Sequence, residues 1–313
     1  VILGPRVGED AAVIALDDRL LVAKTDPITF ATDRIGWYAV HINANDIAVM
    51  GAKPLWFLAT ILVPEDFTEE GVGEIFHQIL SACNTMGITL LGGHTEVTQG
   101  ISRPIVMGAM LGEAKKEELV LTAGAKPGDH VVLTKGIAIE GTALLARDAE
   151  EAILASGLNR EIIQKAKEYL LDPGISVVQD AHVARAAAPV HSMHDPTEGG
   201  LIMGLFEIAK AAGTGITLYL DSVPVLEECQ AICRELKLDP LGLLSSGALL
   251  ITVAPQETPK LLRGLGDAGI KAYDIGRVTP AEEGLKIEDR GGWREMKPPE
   301  RDELARFFDE LAS

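Results

Sequence analysis

Two amides and a carboxylate interrupt an apolar run. In HINANDIAVMGAKPLWF, His41 to Phe57, Asn43 and Asp46 stand three residues apart among Ile42, Ile47, Val49 and Met50. That spacing puts both on one helix face. A carboxylate buried without a partner costs on the order of several kcal/mol. The face therefore ties the helix to a neighbouring backbone, or it presents oxygen ligands to a cation, and the residues alone leave both readings open. Further acids have the same ambiguity. Glu9 and Asp10 in GEDAAVIAL open a strand, where Gly and Asp also favour a plain turn. Thr25-Asp26-Pro27 closes the run VAKTDPITF, and Asp before Pro commonly marks a strand exit.

LGGHTEVTQG supplies Gly92 and Gly93 at a strand end, then His94, Thr95 and Glu96. Glycines let a backbone approach a phosphate and expose its N–H groups. A plain hairpin turn would instead leave His94 and Glu96 solvated. In HDPTEGGL, Asp195 suits a helix N-cap, Pro196 the first helical position, and Glu198 completes a capping box. The same N-terminus would serve an anion. His191 and His194 lack a third zinc ligand, and Cys229 and Cys233, four apart in EECQAIC, lack two more. The cysteines read as packing thiols. GLGDAG, Gly264 to Gly269, fits G-x-G-x-x-G but follows a helical run and precedes a strand, so it reads as a helix C-cap rather than a dinucleotide loop. Neither a P-loop nor a G-x-S-x-G elbow occurs.

The elements around these residues alternate. AAVIAL and LLVAKTD form a hairpin around Asp17-Asp18. A helix from about Arg34 to Met50 carries the Asn43–Asp46 face and stops at Gly51. LWFLATILV is a buried strand. Val72, Ile75, Phe76, Ile79, Leu80 and Cys83 mark an amphipathic helix closed by Gly87. ITLLGGHTEV and PIVMGAMLGE are strands. The charged, then Gly- and Pro-bearing AKKEELVLTAGAKPGDH is a boundary, giving domains 1–118 and 119–313. The second half opens with the strand HVVLTKG and continues through several helices. A strand–helix–strand unit then runs from ALLITVA to YDIGRV, and both halves are mixed α+β.

Hydrophobic residues make up 47% of the 313 positions, and aromatics only 4%, so the core is aliphatic. The net charge of −18 argues against nucleic acid and anionic membranes but permits a nucleotide bridged through a divalent ion. No apolar run approaches the ~20 residues of a membrane span. The chain begins Val1-Ile2-Leu3-Gly4, without a signal-peptide pattern, and three cysteines fit a reducing cytoplasm.

Taken in order, GEDAA, KTD, NANDIAVMGAKP, GGHTEV, KPGD and DPTEGGL resemble the motif series of the aminoimidazole ribonucleotide (AIR) synthase superfamily, over essentially the whole chain. Other members are formylglycinamide ribonucleotide amidotransferase, thiamine-monophosphate kinase, selenophosphate synthetase and the hydrogenase maturation factor HypE. MHDPTEGGL followed by EIAKAAGTGI is most similar to HypE-like members. The resemblance implies a two-domain α+β fold of the AIR synthase (PurM-like) type. Its N-terminal α/β domain forms a barrel with a dimer mate, and its C-terminal domain is α+β. It also implies ATP between the domains, with Mg²⁺ held by carboxylates that match Asp10, Asp26, Asp46 and Asp195. Lys24, Thr25, Asn43, Gly92, Gly93, Thr95 and Thr197 fall on the nucleotide-binding motifs. The implied chemistry is phosphoryl transfer from ATP to an amide-type oxygen, by positioning and charge neutralisation. The implied partners are a small-molecule acceptor, a second copy of the chain and a maturation partner protein.

Two departures qualify this. His94 stands in GGHT where kinase and HypE-like patterns often carry Asp. An imidazole of pKa near ~6.5 suits proton transfer at neutral pH, or donates to a phosphate. HypE also carries a terminal cysteine that accepts a carbamoyl group, whereas the last cysteine here is Cys233, so that reaction is not expected from these residues. Two alternatives stand beside the first reading. One is a thiamine-monophosphate-kinase-like phosphotransferase, against which DPTEGG replaces the kinase pattern D-x-S-D-G. The other is a nucleotide-binding scaffold without turnover.

Overall fold

The computed structural model describes residues 1–6, 8–29 and 33–312. They form two compact units: Val1–Pro5 with Asp10–Leu119, and Arg6–Glu9 with Val120 onward.

The first unit is a five-stranded sheet, β1 (Ala12–Leu16), β2 (Arg19–Ile28), β3 (Lys53–Val63), β4 (Thr89–Val97) and β5 (Ile105–Lys115), in the order β1-β2-β5-β3-β4. Asp17, in the left-handed region at φ 51, makes the tight β1–β2 turn. Helices α1 (Ile35–Val49) and α2 (Glu69–Met86) cover one face. Alternation along β3 shows the two-sidedness: Phe57, Ala59, Ile61 and Val63 are buried, while Trp56, Leu58, Thr60 and Leu62 are partly or fully exposed. α2 begins at Thr68, whose side chain accepts from the Gly71 N–H, and ends at the left-handed Gly87. α1 is buried on nearly all sides, since thirteen of its residues are buried, among them His41, Asn43, Asn45 and Asp46. Its polar residues must therefore find partners inside the unit.

The second unit is a mixed seven-stranded sheet in the order β12-β11-β8-β10-β6-β9-β7. Its strands are β6 (His130–Thr134), β7 (Val190–His194), β8 (Gly215–Tyr219), β9 (Leu250–Val253), β10 (Ala272–Thr279), β11 (Leu285–Asp289) and β12 (Gly292–Glu295). The helices are α3 (Ile139–Asp148), α4 (Glu150–Ala155), α5 (Arg160–Glu168), α6 (Val178–Ala187), α7 (Gly200–Ala212), α8 (Glu227–Leu236), α9 (Thr258–Asp267) and α10 (Glu303–Ala312). The short segment before the first strand is anchored here. Glu9 accepts hydrogen bonds from the Thr122 and Ala123 N–H groups, at 3.2 and 3.1 Å.

Three local expectations are corrected. Gly92 and Gly93 lie within β4, not at a turn. β4 continues through Val97, paired in parallel with β3, and a Cβ on Gly93 would stand 1.8 Å from the Ala59 carbonyl oxygen. The glycine is there for close strand approach. Asp26-Pro27 does not end its strand, because β2 stays paired with β5 to Ile28. β1 pairs with β2 only as far as Ala23, so beyond that point β2 is a sheet edge, where proline is tolerated. Asp195 and Pro196 do not start α7, which begins at Gly200 with Gly199 as N-cap. Gly200 sits at φ 62 against the Leu241 and Leu243 carbonyls, so the chain turns sharply before the helix forms.

Candidate functional site

Beyond Ala23 the free edge of β2 offers the backbone of Asp26, and Asn43 of α1 takes it. The Asn43 Oδ1 accepts from the Asp26 N–H at 2.9 Å. Its Nδ2 donates to the Asp26 and Ala39 carbonyls, at 3.3 and 2.9 Å. The carboxamide thus stands where a further strand residue would be. Gly108 of β5 leaves the room, since a Cβ there would lie 2.4 Å from the Asn43 Nδ2. Asn43 thus ties α1 to the backbone of a neighbouring strand.

Asp46, one turn further on, belongs to a charged cluster. The Lys24 Nζ of β2 lies 3.3 Å from the Asp46 Oδ2 and 3.2 Å from the Asp26 Oδ2. Burial works against the Lys24 ammonium, but the Asp46 and Asp26 carboxylates, with Asp10 behind them, outweigh it and hold the group above its ordinary pKa. Asp10 and Asp46 each offer a carboxylate oxygen within 4.8 Å of the other. Asp46 is only 5% exposed. The unit therefore gathers three carboxylates around one cation, an oxygen-rich, net negative cluster. Hard oxygens at this spacing suit a hard divalent ion such as Mg²⁺. Thr25 adjoins the cluster in sequence, and its hydroxyl donates to the Gly108 carbonyl at 2.7 Å. Asn45 is fully buried beside Asp46.

His94 and Thr95 are on the exposed strand β4, and the His94 Nε2 lies 3.5 Å from the Glu96 Oε2. Among the described residues Glu96 is the ion-pair partner of His94, and no contact joins His94 to the Lys24–Asp46 cluster. In the second unit Asp195 is buried at the end of β7, and the Thr197 carbonyl accepts from the Gly200 and Ser245 N–H groups. His194 and His191 are held by acids, not by each other: His194 Nε2 meets Glu207 Oε2 at 2.9 Å, and His191 Nδ1 meets Asp129 at 2.9 Å. Cys229 and Cys233 are buried, with their sulfurs 3.9 Å apart.

Two functional-looking residues escaped the sequence reading. Gly108 sits in the strand run VMGAMLG, where its role depends on a helix above it. Glu140, in GIAIEGTALLA, is 7% exposed, and burial raises its carboxyl to about 7. The signal that singled out Asp46, an acid within an apolar run, was present there too.

Two mixed sheets, each in its own unit, and an acid- and amide-bearing helix define a two-domain α+β protein with a hard-ligand cluster. The model of the AIR synthase related protein N-terminal domain matches residues 8–114, and that of its C-terminal domain matches 126–288. The chain belongs to the AIR synthase-related protein family. It is 30% identical over 308 residues to a hydrogenase expression/formation protein of Methanocaldococcus jannaschii, covering 95% of this chain and 88% of that one. Carbamoyl dehydratase HypE of Cupriavidus necator is 29% identical over 300 residues, covering 93% and 80%. Thiamine-monophosphate kinase of Pyrococcus horikoshii is 30% identical over 309 residues, covering 93% and 91%. Among solved structures, a HypE–HypF complex matches with a TM-score of 0.77 at 25% identity, covering 93% of each chain. A HypE in complex with ATP has the same fold, with a TM-score of 0.72 at 22% identity and coverage of 91% and 86%.

Proposed function

We propose that this protein is a Mg-ATP-dependent enzyme that activates an amide- or carboxyl-type oxygen of a small acceptor by phosphoryl transfer. The γ-phosphoryl group passes to that oxygen and ADP leaves; the phosphorylated oxygen then departs as phosphate, displaced by an attacking nitrogen or eliminated in a net loss of water from the acceptor. The observation that carries the reading is Asp46, a carboxylate on the buried helix α1, close to Asp10 and paired with Lys24. Family membership and a relative named a thiamine-monophosphate kinase support it, and a HypE of the same fold has been solved in complex with ATP.

Asp10, Asp26 and Asp46 are the proposed holders of Mg²⁺, which when bound neutralises phosphate charge. Asp195 receives the same role from the motif resemblance. Lys24 balances the carboxylates when the metal is away and meets phosphate oxygens when it is present. Asn43 fixes Asp26, so the ligand strand and the ligand helix keep one register. Thr25, Gly92, Gly93, Thr95 and Thr197 are proposed nucleotide contacts. His94 is the proposed acid/base group toward the acceptor.

Two partners follow from the same reading. The face of the first sheet opposite α1 and α2 carries Leu21, Leu58, Leu62, Met107, Ala109 and Leu111, partly or fully exposed. A second copy of the chain is the proposed cover, and Leu58→Glu should shift sedimentation to the monomer. The HypE–HypF complex supports a maturation partner as well. The kinase alternative is favoured by one observation, the 30% identity to the Pyrococcus horikoshii enzyme. Calorimetric titration of ATP with and without Mg²⁺, repeated on Asp46→Asn, tests the proposal. Magnesium-dependent binding lost in the variant is expected, and no binding to the unaltered chain would overturn it. Binding without turnover on any acceptor would favour the scaffold.

A further inference from the structure

Capping chemistry calls for a carboxylate at the start of α7, and a distant part of the chain supplies it. α7 begins at Gly200 behind Gly199, a glycine at φ 73 with no side chain to cap the helix. Gly199 is buried, so its N–H needs a partner from the protein. That N–H donates to the Asp302 Oδ2 at 2.7 Å, across 103 residues of sequence. A carboxylate there also suits the positive end of the helix dipole. Pro299 closes over the same glycine, since a Cβ on Gly199 would lie 3.3 Å from the Pro299 Cγ.

Asp302 also opens the last helix of the chain. Its Oδ1 accepts from the Leu304 N–H at 2.7 Å and its carbonyl from the Arg306 N–H at 2.9 Å, so it caps α10 as well. One carboxylate thus closes two helix starts. α10 has its own seat beside the end of α8. The Glu303 Oε2 accepts from the Asp239 N–H at 3.1 Å, and the Arg306 Nη2 donates to the Lys237 carbonyl at 3.2 Å. The helix is therefore fixed independently of the Asp195–Gly200 turn, and the turn is fixed to the helix through Asp302. On its other side the turn meets the segment before β9, where the Ser245 N–H donates to the Thr197 carbonyl at 3.2 Å. The match to the family's C-terminal domain ends at residue 288, so Asp302 and α10 lie beyond it.

We infer that Asp302 is a positioning residue: it seats the Asp195–Gly200 turn on α10, so the last helix of the chain sets where Asp195 and Thr197 stand for Mg-ATP. The role toward Mg-ATP rests on the nucleotide reading above, but the seating of the turn does not. Without Asp302 a buried N–H is left unpaired, and the turn must shift or open to satisfy it. A binding group displaced by about 1 Å can cost on the order of a hundredfold in function.

Asp302→Ser separates the two duties of the residue, because a serine hydroxyl still caps α10 but has one oxygen and a shorter reach. Hydrogen exchange of the full chain without nucleotide is read by mass spectrometry on peptides covering 195–200 and 303–312. In the variant the first should exchange roughly tenfold faster than in wild type, with the second unchanged. Calorimetry should show Mg-ATP binding weakened roughly tenfold, and saturating Mg-ATP should return the turn to wild-type protection. A purely structural cap would lower the urea midpoint and leave the Mg-ATP Kd where it was, and that result overturns the inference. Unchanged exchange of the turn in Asp302→Ser overturns it as well. A wild type that binds no Mg-ATP sinks the nucleotide reading alone, and exchange of the turn still decides whether Asp302 seats it.

Discussion

Lys24→Met removes the cation between Asp26 and Asp46 while keeping the aliphatic stem. Asp46 is the sensitive partner, because its side chain is 8% exposed against 34% for that of Asp26. Breaking a fully buried ion pair costs roughly 3–5 kcal/mol, and breaking an exposed one about 0–1. With one carboxylate buried and the other half-buried, a loss of about 2–3 kcal/mol is expected. Urea unfolding at pH 7.5 in EDTA, followed by fluorescence of Trp37 and Trp56 in the same unit, measures it. Trp293 is 69% exposed already and should change little. Adding Mg²⁺ supplies the missing positive charge. At tenfold above its Kd the metal returns roughly 1.4 kcal/mol, and it should bind Lys24→Met more tightly than wild type. An unaltered urea midpoint in EDTA would show that Lys24 does not neutralise Asp46. Equal magnesium stabilisation of wild type and Asp46→Asn would place the metal elsewhere.

Asn43→Ala removes three hydrogen bonds and strands the Asp26 backbone, so a loss of about 2–4 kcal/mol is expected by urea titration. Gly93→Ala would drive a methyl into the Ala59 carbonyl, and a loss of at least ~3 kcal/mol, or failure of β4 to pair, should appear in thermal melts. His41, packed against Trp37 with ring centroids 4.1 Å apart and planes tilted by 41°, is lowered to about 4 by burial. Its folded form binds fewer protons than its unfolded form, so its contribution is present above about 6.5 and lost as pH falls toward 4. Wild type should lose on the order of 3 kcal/mol over that window, and His41→Phe should lack this slope in pH-dependent unfolding.

Sequence by itself determined the elements and the family. One-faced apolar spacing located α2, and apolar runs bounded by turn and cap residues located α1, β1–β6, β9 and β10 to within a few residues; β7, β8, β11 and β12 were not marked by such runs. The acid in an apolar run singled out Asp46 as a residue that needs a partner wherever the chain folds, and it pairs with Lys24. What the partner is was decided by tertiary structure. The roles of Asn43 and Gly108 exist only because α1 lies across the free edge of β2, a fact about strand order that no local pattern encodes. The same holds for DPTEGG: capping chemistry predicted a helix start at Asp195, but Gly199 and Gly200, both left-handed at φ 73 and 62, turn the chain there, and the helix begins at Gly200, where the Leu241 and Leu243 carbonyls leave room only for glycine. Gly92 and Gly93 read as a turn because glycine is locally permissive, yet Gly93 serves the approach of a neighbouring strand. Local sequence specifies which residues need a partner; only long-range packing supplies it.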